Sequence, residues 1–292
     1  MKTNAFLLFA AALAAFAGCR SAKVPAYDTL VAHRGESHDA PENTLPAYRM
    51  AVERGFGFEC DVYLSADGRV FTFHDGDLAR TSGGKLSKRC TEANWETEIS
   101  ALDVGGWGKW KGSKFEGTRP ALLEEVCALA RDGRKIYCEV KGGDVRVVGP
   151  IRKILEGQST ATPENFLFIA FSDKICRALK EEMPQYKVYW LTGNYHYTWP
   201  AGKPAVRGAA VTADEIVAKL RETKADGVDI YFDPELHAKA FVRAVHDAGF
   251  EFHVWTIDDP DRAFLAFERG ADSVTTNRAK HLLDAWKARG GK

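Results

Sequence analysis

The chain alternates between two hydrophobic patterns, and this alternation restricts its fold more than any other feature. Short apolar runs typical of strands are separated, in most cases, by longer segments with the apolar spacing of amphipathic helices. Repeated strand–helix units predict a parallel sheet. The predicted strands are Leu30–His33, Phe56–Tyr63, Val70–His74, Lys135–Val140, Phe166–Phe171, Val188–Leu191, Val228–Phe232, Phe252–Ile257 and Ser273–Thr276.

The segments between these strands carry ordinary helix start and stop signals. The first predicted helix, Thr44–Arg54, has Asn43 as its expected N-cap and Gly55 as its stop. A chain of 292 residues suits a single (β/α)₈ TIM barrel, which typically has about 250 residues. The other predicted helices are Leu122–Ala130, Ser172–Glu182, Asp214–Lys224, Pro234–Ala248 and Pro260–Glu268.

Nine predicted strands are one more than this barrel needs, and the surplus lies within residues 56–74. Ala66-Asp67-Gly68-Arg69 is a tight-turn sequence between two strand patterns, which predicts a hairpin with an antiparallel return strand. Pairing about the centre of this turn puts Asp61 opposite His74, on the same face and about 5 Å away.

Residues 76–120 lack the strand–helix pattern and contain several aromatic residues among many Gly, Lys and Ser. A structureless loop of this length is unusual in a compact domain. We therefore predict a small insertion after the His74-Asp75 strand, over the C-terminal mouth of the barrel. Its Trp107 and Trp110 either form the core of the insertion or line an entrance to the site.

Three predicted strands end in polar side chains where apolar ones would normally pack. These ends are His33-Arg34-Gly35, Glu59-Cys60-Asp61 with His74-Asp75 on the return strand, and Glu139-Val140-Lys141. Strand alternation puts Glu59 and Asp61 on one face, and likewise Glu139 and Lys141. The C-terminal ends of barrel strands usually serve the active site.

The three carboxylates at these strand ends predict a metal site. Carboxylates that converge would repel one another unless a cation lies between them, and all-oxygen ligands favour Mg²⁺ or Ca²⁺ over zinc. Taken singly, each piece has an ordinary structural explanation. A histidine at a strand end is commonly a hydrogen-bonded structural residue, Glu-x-Asp a solvated face and Glu-x-Lys a surface ion pair. Their joint occurrence in this order is what indicates a site.

Together these segments resemble one enzyme family. The most specific residues are Val31-Ala32-His33-Arg34-Gly35, Pro41-Glu42-Asn43-Thr44, Glu59-Cys60-Asp61-Val62 and His74-Asp75 followed by Arg80-Thr81. Segments 102–105, 119–126, 139–141, 171–172, 254–257 and 270–277 extend the likeness to about residue 280. In these residues the sequence resembles the glycerophosphodiester phosphodiesterase family, whose barrel is like that of phosphatidylinositol phospholipase C. The chain departs from the family pattern at Cys60, where an aliphatic residue is common, and at Asn277, where Asp is common.

The resemblance implies a role for each polar residue. His33 and His74 would be the acid/base pair, and Arg34 and Lys141 would contact the phosphate. One divalent cation, Mg²⁺ or Ca²⁺, would be held by Glu59, Asp61 and Glu139. The implied reaction is hydrolysis of a glycerophosphodiester to glycerol 3-phosphate and an alcohol. Trp255 either walls the glycerol pocket or belongs to the core, and His253 is predicted to be structural.

Two other functions remain open at this point. A phospholipase D-type activity on a lysophospholipid or sphingolipid fits a membrane-anchored chain with an aromatic insertion. A catalytically inactive phosphodiester-binding envelope protein is disfavoured, because all five expected metal and histidine positions are filled. Lys plus Arg equals Asp plus Glu, at 40 each, which is not the profile of a nucleic-acid-binding protein. No protein partner is implied.

The N-terminus predicts export and lipidation. Lys2, an apolar stretch over 5–17 and small residues before Cys19 are typical of a signal peptide covering residues 1–18. Phe16-Ala17-Gly18-Cys19 resembles a bacterial lipobox, which implies lipid on Cys19, a linker over 19–28 and a barrel domain over 29–288 in the cell envelope. The five other cysteines are interpreted as small buried apolar residues without a catalytic or metal role.

Overall fold

The computed structural model describes residues 27–198 and 204–290, and their main feature is a closed barrel. The strands are β1 (Leu30–Ala32), β2 (Gly57–Leu64), β3 (Val70–Thr72), β4 (Ile136–Val140), β5 (Phe166–Ala170), β6 (Val188–Thr192), β7 (Tyr195–Thr198), β8 (Val206–Ala210), β9 (Gly227–Tyr231), β10 (Glu251–Trp255) and β11 (Ser273–Thr276). Eight of them are parallel and pair around the barrel in the order β1, β2, β4, β5, β6, β9, β10 and β11, and β11 pairs back with β1. This confirms the predicted (β/α)₈ architecture.

Helices cover the outside of the barrel, and two of them, α3 and α8, were not predicted. The α1 helix begins after Thr44, whose Oγ1 accepts a hydrogen bond from the Ala47 N–H at 3.4 Å. The predicted N-cap, Asn43, is therefore wrong by one residue. The helices are α1 (Leu45–Glu53), α2 (Leu123–Cys127), α3 (Val148–Glu156), α4 (Asp173–Glu182), α5 (Ala213–Thr223), α6 (Lys239–Asp247), α7 (Pro260–Arg269) and α8 (Ala279–Ala288).

Strand alternation divides the apolar residues between two cores. Outward-facing side chains such as Cys60 and Val140 pack against the helices. Inward-facing ones fill the barrel, and they are Val31, Tyr137, Leu167, Ile169, Tyr189 and Leu191. Because this filling closes the barrel below, polar strand ends have open space only at the C-terminal mouth. The cysteines of the described part of the chain are all buried, as predicted, and none of them forms a disulfide.

The hairpin of β2 and β3 is present, but its predicted register is wrong. Val62 pairs with Thr72 and Leu64 with Val70. The Phe73 N–H donates to the Asp61 carbonyl at 3.0 Å, so Asp61 faces Phe73 rather than His74. His74 lies beyond the end of β3, and its place is not fixed by strand pairing.

The turn of this hairpin explains the shift of one residue. Its loop runs over 65–69, closed by the Ser65 N–H donating to the Arg69 carbonyl at 2.8 Å. The Asp67 carboxylate accepts the backbone N–H groups of Trp95 and Glu96 at 2.8 and 3.2 Å. The insertion therefore holds the turn in its longer form, through contacts that the local turn sequence does not reveal.

The insertion between β3 and α2 has a small core of its own. Phe71 of β3 and Phe73 just after it pack there with buried insertion residues, namely Leu78, Cys90, Ala93, Trp95, Ile99, Leu102 and Val104. Trp107 and Trp110 lie outside this core. Trp110 packs edge-on against Phe115 at 5.5 Å, and the Trp107 ring lies 4.9 Å from the Arg80 guanidinium.

A second hairpin, formed by β7 and β8, follows β6 and was not predicted. It stands at the mouth, where β6 ends, and most of its side chains are exposed. Among the described residues, no helix combines the length and apolar character needed to cross a membrane. The predicted signal peptide and Cys19 lie outside those residues.

Candidate active site

Three buried carboxylates meet at the mouth of the barrel, where β2 and β4 run side by side. Asp61 of β2 is the direct partner of Glu139 on β4, and Glu59 lies two residues earlier on the same face of β2. One oxygen from each of the three carboxylates falls within 4.8 Å of the others. Their residues are 2%, 1% and 8% exposed for Glu59, Asp61 and Glu139. The structure thus brings together the three carboxylates that the sequence predicted as metal ligands.

Two cations partly neutralise this carboxylate cluster. Lys141 Nζ lies 2.9 Å from Asp61 Oδ1 and 2.7 Å from Glu139 Oε1. Arg34 Nε lies 3.4 Å from Asp61 Oδ2. Burial opposes ionisation of Asp61, but the charges of Lys141 and Arg34 outweigh it and hold its pKa well below the ordinary value. Three carboxylates facing two cations leave one negative charge without a partner.

The unbalanced charge lies on the Glu59 side of the cluster. Glu59 Oε1 is buried and has no hydrogen-bond donor among the described residues. Burial and the charge of Asp61 raise the pKa of Glu59 well above its ordinary value, and they raise that of Glu139 to about 7. An orphaned oxygen among three oxygen donors fits a hard divalent cation, which would let all three carboxylates ionise together.

The backbone after β1 is shaped to reach this cluster. Arg34 has a left-handed conformation, φ +56°, and its N–H donates to Glu59 Oε2 at 2.8 Å. Gly35 follows with φ +77°, and a Cβ there would lie 2.6 Å from the carbonyl carbon of Ala47. Only glycine fits this position, because both the backbone angle and the space exclude a side chain.

Asn43 supports Asp61, a role that the sequence analysis missed. Its Nδ2 donates to Asp61 Oδ2 at 2.6 Å, and its Oδ1 accepts from the Asp61 N–H at 3.1 Å and from the Tyr48 hydroxyl at 2.8 Å. Asn43 has φ +56°, which Asn tolerates better than most residues. Its place in the Pro41-Glu42-Asn43-Thr44 motif was the available signal, but that motif was used only for the resemblance.

His33 presents its Nε2 atom to the carboxylate cluster. Asn277 Nδ2 donates to Asp258 Oδ2 at 2.8 Å, so Asn277 Oδ1 faces His33 Nδ1 at 2.7 Å. This oxygen can only accept, which places the proton on Nδ1 and leaves Nε2 free, 3.9 Å from Glu59 Oε2. Burial, then the charge of Arg34, lowers the pKa of His33 to about 4. Its imidazole is therefore neutral near neutral pH.

His74 lies close enough to the same cluster for the charge of Asp61 to act on its pKa. Its Nδ1 lies 2.8 Å from Asp75 Oδ1, and because a carboxylate only accepts, Nε2 is again the free nitrogen. Burial lowers its pKa, an effect that the nearby charge of Asp61 opposes. The two imidazoles also influence each other, since His74 contributes to the lowered pKa of His33. The wrong hairpin register thus did not separate His74 from the site.

Trp255 belongs to an aromatic wall at the mouth and also touches the barrel core. Its ring meets Phe171 and Tyr231 edge-on at 5.7 and 5.8 Å, and its Nε1 donates to the Asp229 carbonyl at 3.1 Å. His253 lies deeper in the barrel. It stacks on Tyr189 with ring centroids 4.1 Å apart.

Comparison with known proteins agrees with this arrangement. Residues 33–281 match the model of a family described as the glycerophosphoryl diester phosphodiesterase family. The chain belongs to that family. Over 263 residues it is 33% identical to a glycerophosphodiester phosphodiesterase of Caldanaerobacter subterraneus subsp. tengcongensis, an alignment that covers 87% of this chain and 96% of the relative. The predicted enzyme class, a phosphodiesterase, is thereby confirmed.

Solved structures of this family share the barrel. An Oleispira antarctica phosphodiesterase, solved in complex with the product sn-glycerol-3-phosphate, superposes with a TM-score of 0.72 at 23% identity, over 89% of this chain and 96% of the other. A putative glycerophosphoryl diester phosphodiesterase from Silicibacter pomeroyi gives 0.73 at 20% identity, over 90% and 95%. At these identities the likeness shows the fold.

Proposed function

We propose that this phosphodiesterase hydrolyses glycerophosphodiesters to glycerol 3-phosphate and an alcohol, with His33 and His74 as its acid/base pair. The observation that carries the proposal is the convergence of two imidazoles on one buried carboxylate cluster. Each imidazole keeps Nε2 free because its Nδ1 hydrogen is held by an acceptor, Asn277 Oδ1 or Asp75 Oδ1. A phosphodiester placed between them would meet a proton acceptor at the neutral imidazole, and a proton donor at the other once that ring carries a second proton on Nε2.

The same proposal assigns one divalent cation, Mg²⁺ or Ca²⁺, to Glu59, Asp61 and Glu139. When bound, such a cation supplies positive charge next to the phosphoryl oxygens. Arg34 and Lys141 already lie beside Asp61, and their guanidinium and ammonium groups would contact the same oxygens. These fixed cations stabilise the charge that develops on the phosphoryl group without the reorganisation that water would need.

Proton transfer follows from the positions of the two histidines. In the first step, one imidazole takes a proton from the attacking hydroxyl, which is the substrate's own glycerol hydroxyl, as the phosphorus–oxygen bond to the alcohol breaks. The other imidazole donates a proton to the departing alcohol oxygen. Water then opens the cyclic phosphodiester with the two roles reversed, which returns both histidines to their starting states.

A lysophospholipid is the second candidate substrate, and the aromatic wall favours it. Phe171 and Tyr231 are 50% and 44% exposed at the mouth, next to Trp255. Exposed apolar rings beside a polar site suit a substrate with an apolar part. On such a substrate the same bond cleavage would be a phospholipase D-type reaction.

One assay tests the proposal and separates the two substrates. Turnover of glycerophosphocholine and of lysophosphatidylcholine is measured with the purified enzyme, with Mg²⁺ or Ca²⁺ and with EDTA. We expect metal-dependent release of glycerol 3-phosphate from glycerophosphocholine. Faster turnover of lysophosphatidylcholine would favour the second candidate, and no turnover of either would indicate an inactive phosphodiester-binding protein.

We also propose that the enzyme is a lipoprotein of the bacterial cell envelope, anchored to the membrane by lipid on Cys19. The support is the sequence before Cys19, which resembles a signal peptide with a lipobox. Cys19→Ser should release the protein from the membrane fraction while leaving the activity of the isolated barrel domain unchanged. Fractionation of the variant with membranes, as for the wild type, would contradict the anchor.

A further inference from the structure

Two motifs of the family resemblance have side chains without a part in the proposed chemistry. One is Pro41-Glu42-Asn43-Thr44, and the other is Arg80-Thr81. In the first motif, only Asn43 contacts Asp61 among the described contacts. The structure brings Glu42 and Arg80 together at the edge of the site, where the insertion leaves β3. Their contact joins the loop after β1 to the insertion.

Arg80 divides its donors between two carboxylates. Its Nε lies 2.6 Å from Asp75 Oδ2, and its Nη2 lies 3.0 Å from Asp75 Oδ1. On the other side, Nη1 and Nη2 lie 3.0 and 2.7 Å from the two oxygens of Glu42. A planar guanidinium with two paired contacts has a fixed orientation. The Trp107 ring lies against the same guanidinium, 4.9 Å from its carbon.

Each of these carboxylates continues to a residue of the site. Asp75 Oδ1 lies 2.8 Å from His74 Nδ1, and Glu42 Oε1 accepts a hydrogen bond from Arg34 Nη1 at 2.9 Å. The network therefore runs from Arg34 through Glu42, Arg80 and Asp75 to His74. Along it, Glu42 contacts both arginines and Asp75 contacts Arg80, so each of the two carboxylates has a guanidinium beside it.

The ring of His74 depends on this network for its orientation. His74 lies beyond the end of β3, with its side chain 33% exposed, and within the described part of the chain Asp75 is the one side chain at hydrogen-bonding distance from its ring. Among the described contacts, the Asp75 carboxylate meets only His74 and Arg80, so Arg80 is the group that fixes its direction. Arg80 thus orients the ring of His74 indirectly, through Asp75.

We infer that Arg80 is a positioning residue for the reaction. It holds Asp75 against Nδ1 of His74, and so fixes the ring and leaves Nε2 as the nitrogen available for the reaction. The inference rests on the proposed acid/base role of His74. The competing explanation is that Arg80 only attaches the insertion to the barrel, in which case its loss would act on stability and not through His74.

A double-mutant cycle separates the two explanations. Arg80→Met, His74→Ala and the double variant are assayed on glycerophosphocholine with saturating Mg²⁺ or Ca²⁺. We expect Arg80→Met to lower kcat by about 10- to 10²-fold with KM changed by less than about threefold. In the His74→Ala background the same substitution should lower kcat by no more than about twofold, because the residue it positions is already absent.

Two further variants keep the test independent of folding. Arg80→Lys should recover part of the lost kcat, since an ammonium keeps the positive charge but lacks the planar fork that makes two paired contacts. Arg89→Met is the matched control on the same insertion, because Arg89 is 73% exposed and its nearest carboxylate, on Glu92, is 4.0 Å away. It should keep wild-type kcat. Thermal unfolding of every variant shows whether the assay temperature lies in the folded range.

The outcomes separate the positioning role from the proposed function. If Arg80→Met keeps wild-type kcat, or if it lowers kcat by the same factor with and without His74, Arg80 does not act through His74 and the inference is overturned. If His74→Ala itself keeps wild-type kcat, the proposed two-histidine function fails instead. A loss of kcat that disappears in the His74→Ala background supports the positioning role.

Discussion

The two sides of the mouth orient a histidine by different means. On one side, His33 directly follows β1, and Asn277 beyond β11 fixes its ring through an amide that Asp258 holds in place. On the other side, His74 lies beyond a short return strand, and its ring is fixed by Asp75, which depends on Arg80 from the insertion. The first arrangement is part of the barrel, and the second is added to it.

The difference also gives the two imidazoles different electrostatic surroundings. The partner of His33 is a neutral amide, and burial with the charge of Arg34 lowers its pKa to about 4. The partner of His74 is a carboxylate, which favours the protonated ring and opposes the lowering that burial causes. The two rings therefore both carry a hydrogen on Nδ1 but differ in how strongly they hold a second proton, as an acid/base pair requires.

Removing the cation should have the largest effect on turnover, because the carboxylate cluster serves both sides of the mouth. We expect dialysis against EDTA to abolish turnover and Mg²⁺ or Ca²⁺ to restore it. Glu59→Gln should weaken cation affinity strongly, since it removes a charge from the ligand set, and calorimetric titration of the protein with the metal measures this directly. Full activity after exhaustive dialysis with EDTA would show that the carboxylate cluster is not a required metal site.

The two histidines themselves should give the next largest effect. His33→Ala and His74→Ala should each lower kcat on glycerophosphocholine by at least about 10²-fold with KM little changed. The double variant should lose less than the product of the two, because the proton transfers are coupled. A nitrophenyl ester, whose leaving group needs no proton, should rescue whichever histidine is the acid. Near wild-type kcat in either single variant would make that histidine structural.

The same comparison shows what the sequence could predict. The carboxylate cluster was predictable because strand alternation and parallel pairing are regular, so Glu59, Asp61 and Glu139 had to share one face at one end of the sheet. His33 followed for the same reason, since it directly follows a barrel strand.

The His74 side was less predictable because its geometry depends on distant contacts. The hairpin register was wrong by one residue, since Asp67 in the turn is held by the backbone of Trp95 and Glu96. The roles of Asn43 and Arg80 depend on side chains that meet only after the barrel closes. Such contacts leave no periodic pattern along the chain. The sequence therefore showed these residues as parts of motifs, but it did not show which side chains they contact.

A pair of glycine variants should show that the His33 side tolerates less change. Gly35→Ala needs a left-handed backbone and places a methyl group 2.6 Å from the Ala47 carbonyl carbon, which should cost about 2–4 kcal/mol of unfolding free energy. Gly68→Ala, in the turn of the hairpin, has φ +84° and no described atom within 4 Å of its Cβ, so about 1 kcal/mol is expected. Urea unfolding measures both, and equal costs would contradict the comparison.

Exchanging the amide of Asn277 with the carboxylate of Asp258 should give His33 a carboxylate partner, as His74 has. Asn277→Asp combined with Asp258→Asn keeps the net charge and the amide–carboxylate contact, but it puts a carboxylate against His33 Nδ1. An adjacent negative charge favours the imidazolium, so the pKa of His33 should rise by about one unit or more. The limb of the kcat/KM pH profile that His33 controls should then move to higher pH, whether His33 is the base or the acid. An unchanged profile would mean that His33 does not control either limb.

The smallest effect on turnover should come from His253→Ala. This variant tests whether a histidine with a fixed ring in the barrel takes part in the reaction even when it lies away from the mouth. His253 is 2% exposed, its Nδ1 lies 2.7 Å from Ser273 Oγ, and its ring stacks on Tyr189. It is held as firmly as His33, but it lies two residues before the end of β10 and so deeper in the barrel than the mouth.

Truncation of His253 to alanine should lower the unfolding free energy by about 2–4 kcal/mol, through a cavity and unpaired polar groups. We expect kcat to stay within about threefold of wild type at a temperature where the variant is folded. Denaturant unfolding and steady-state assays on one preparation separate the two effects. If the folded variant instead lost turnover by about 10²-fold, as expected for an acid/base residue, the chemistry would extend below the carboxylate cluster. His253 would then be a third histidine in the reaction, and a comparison of His33 with His74 alone would not describe the site.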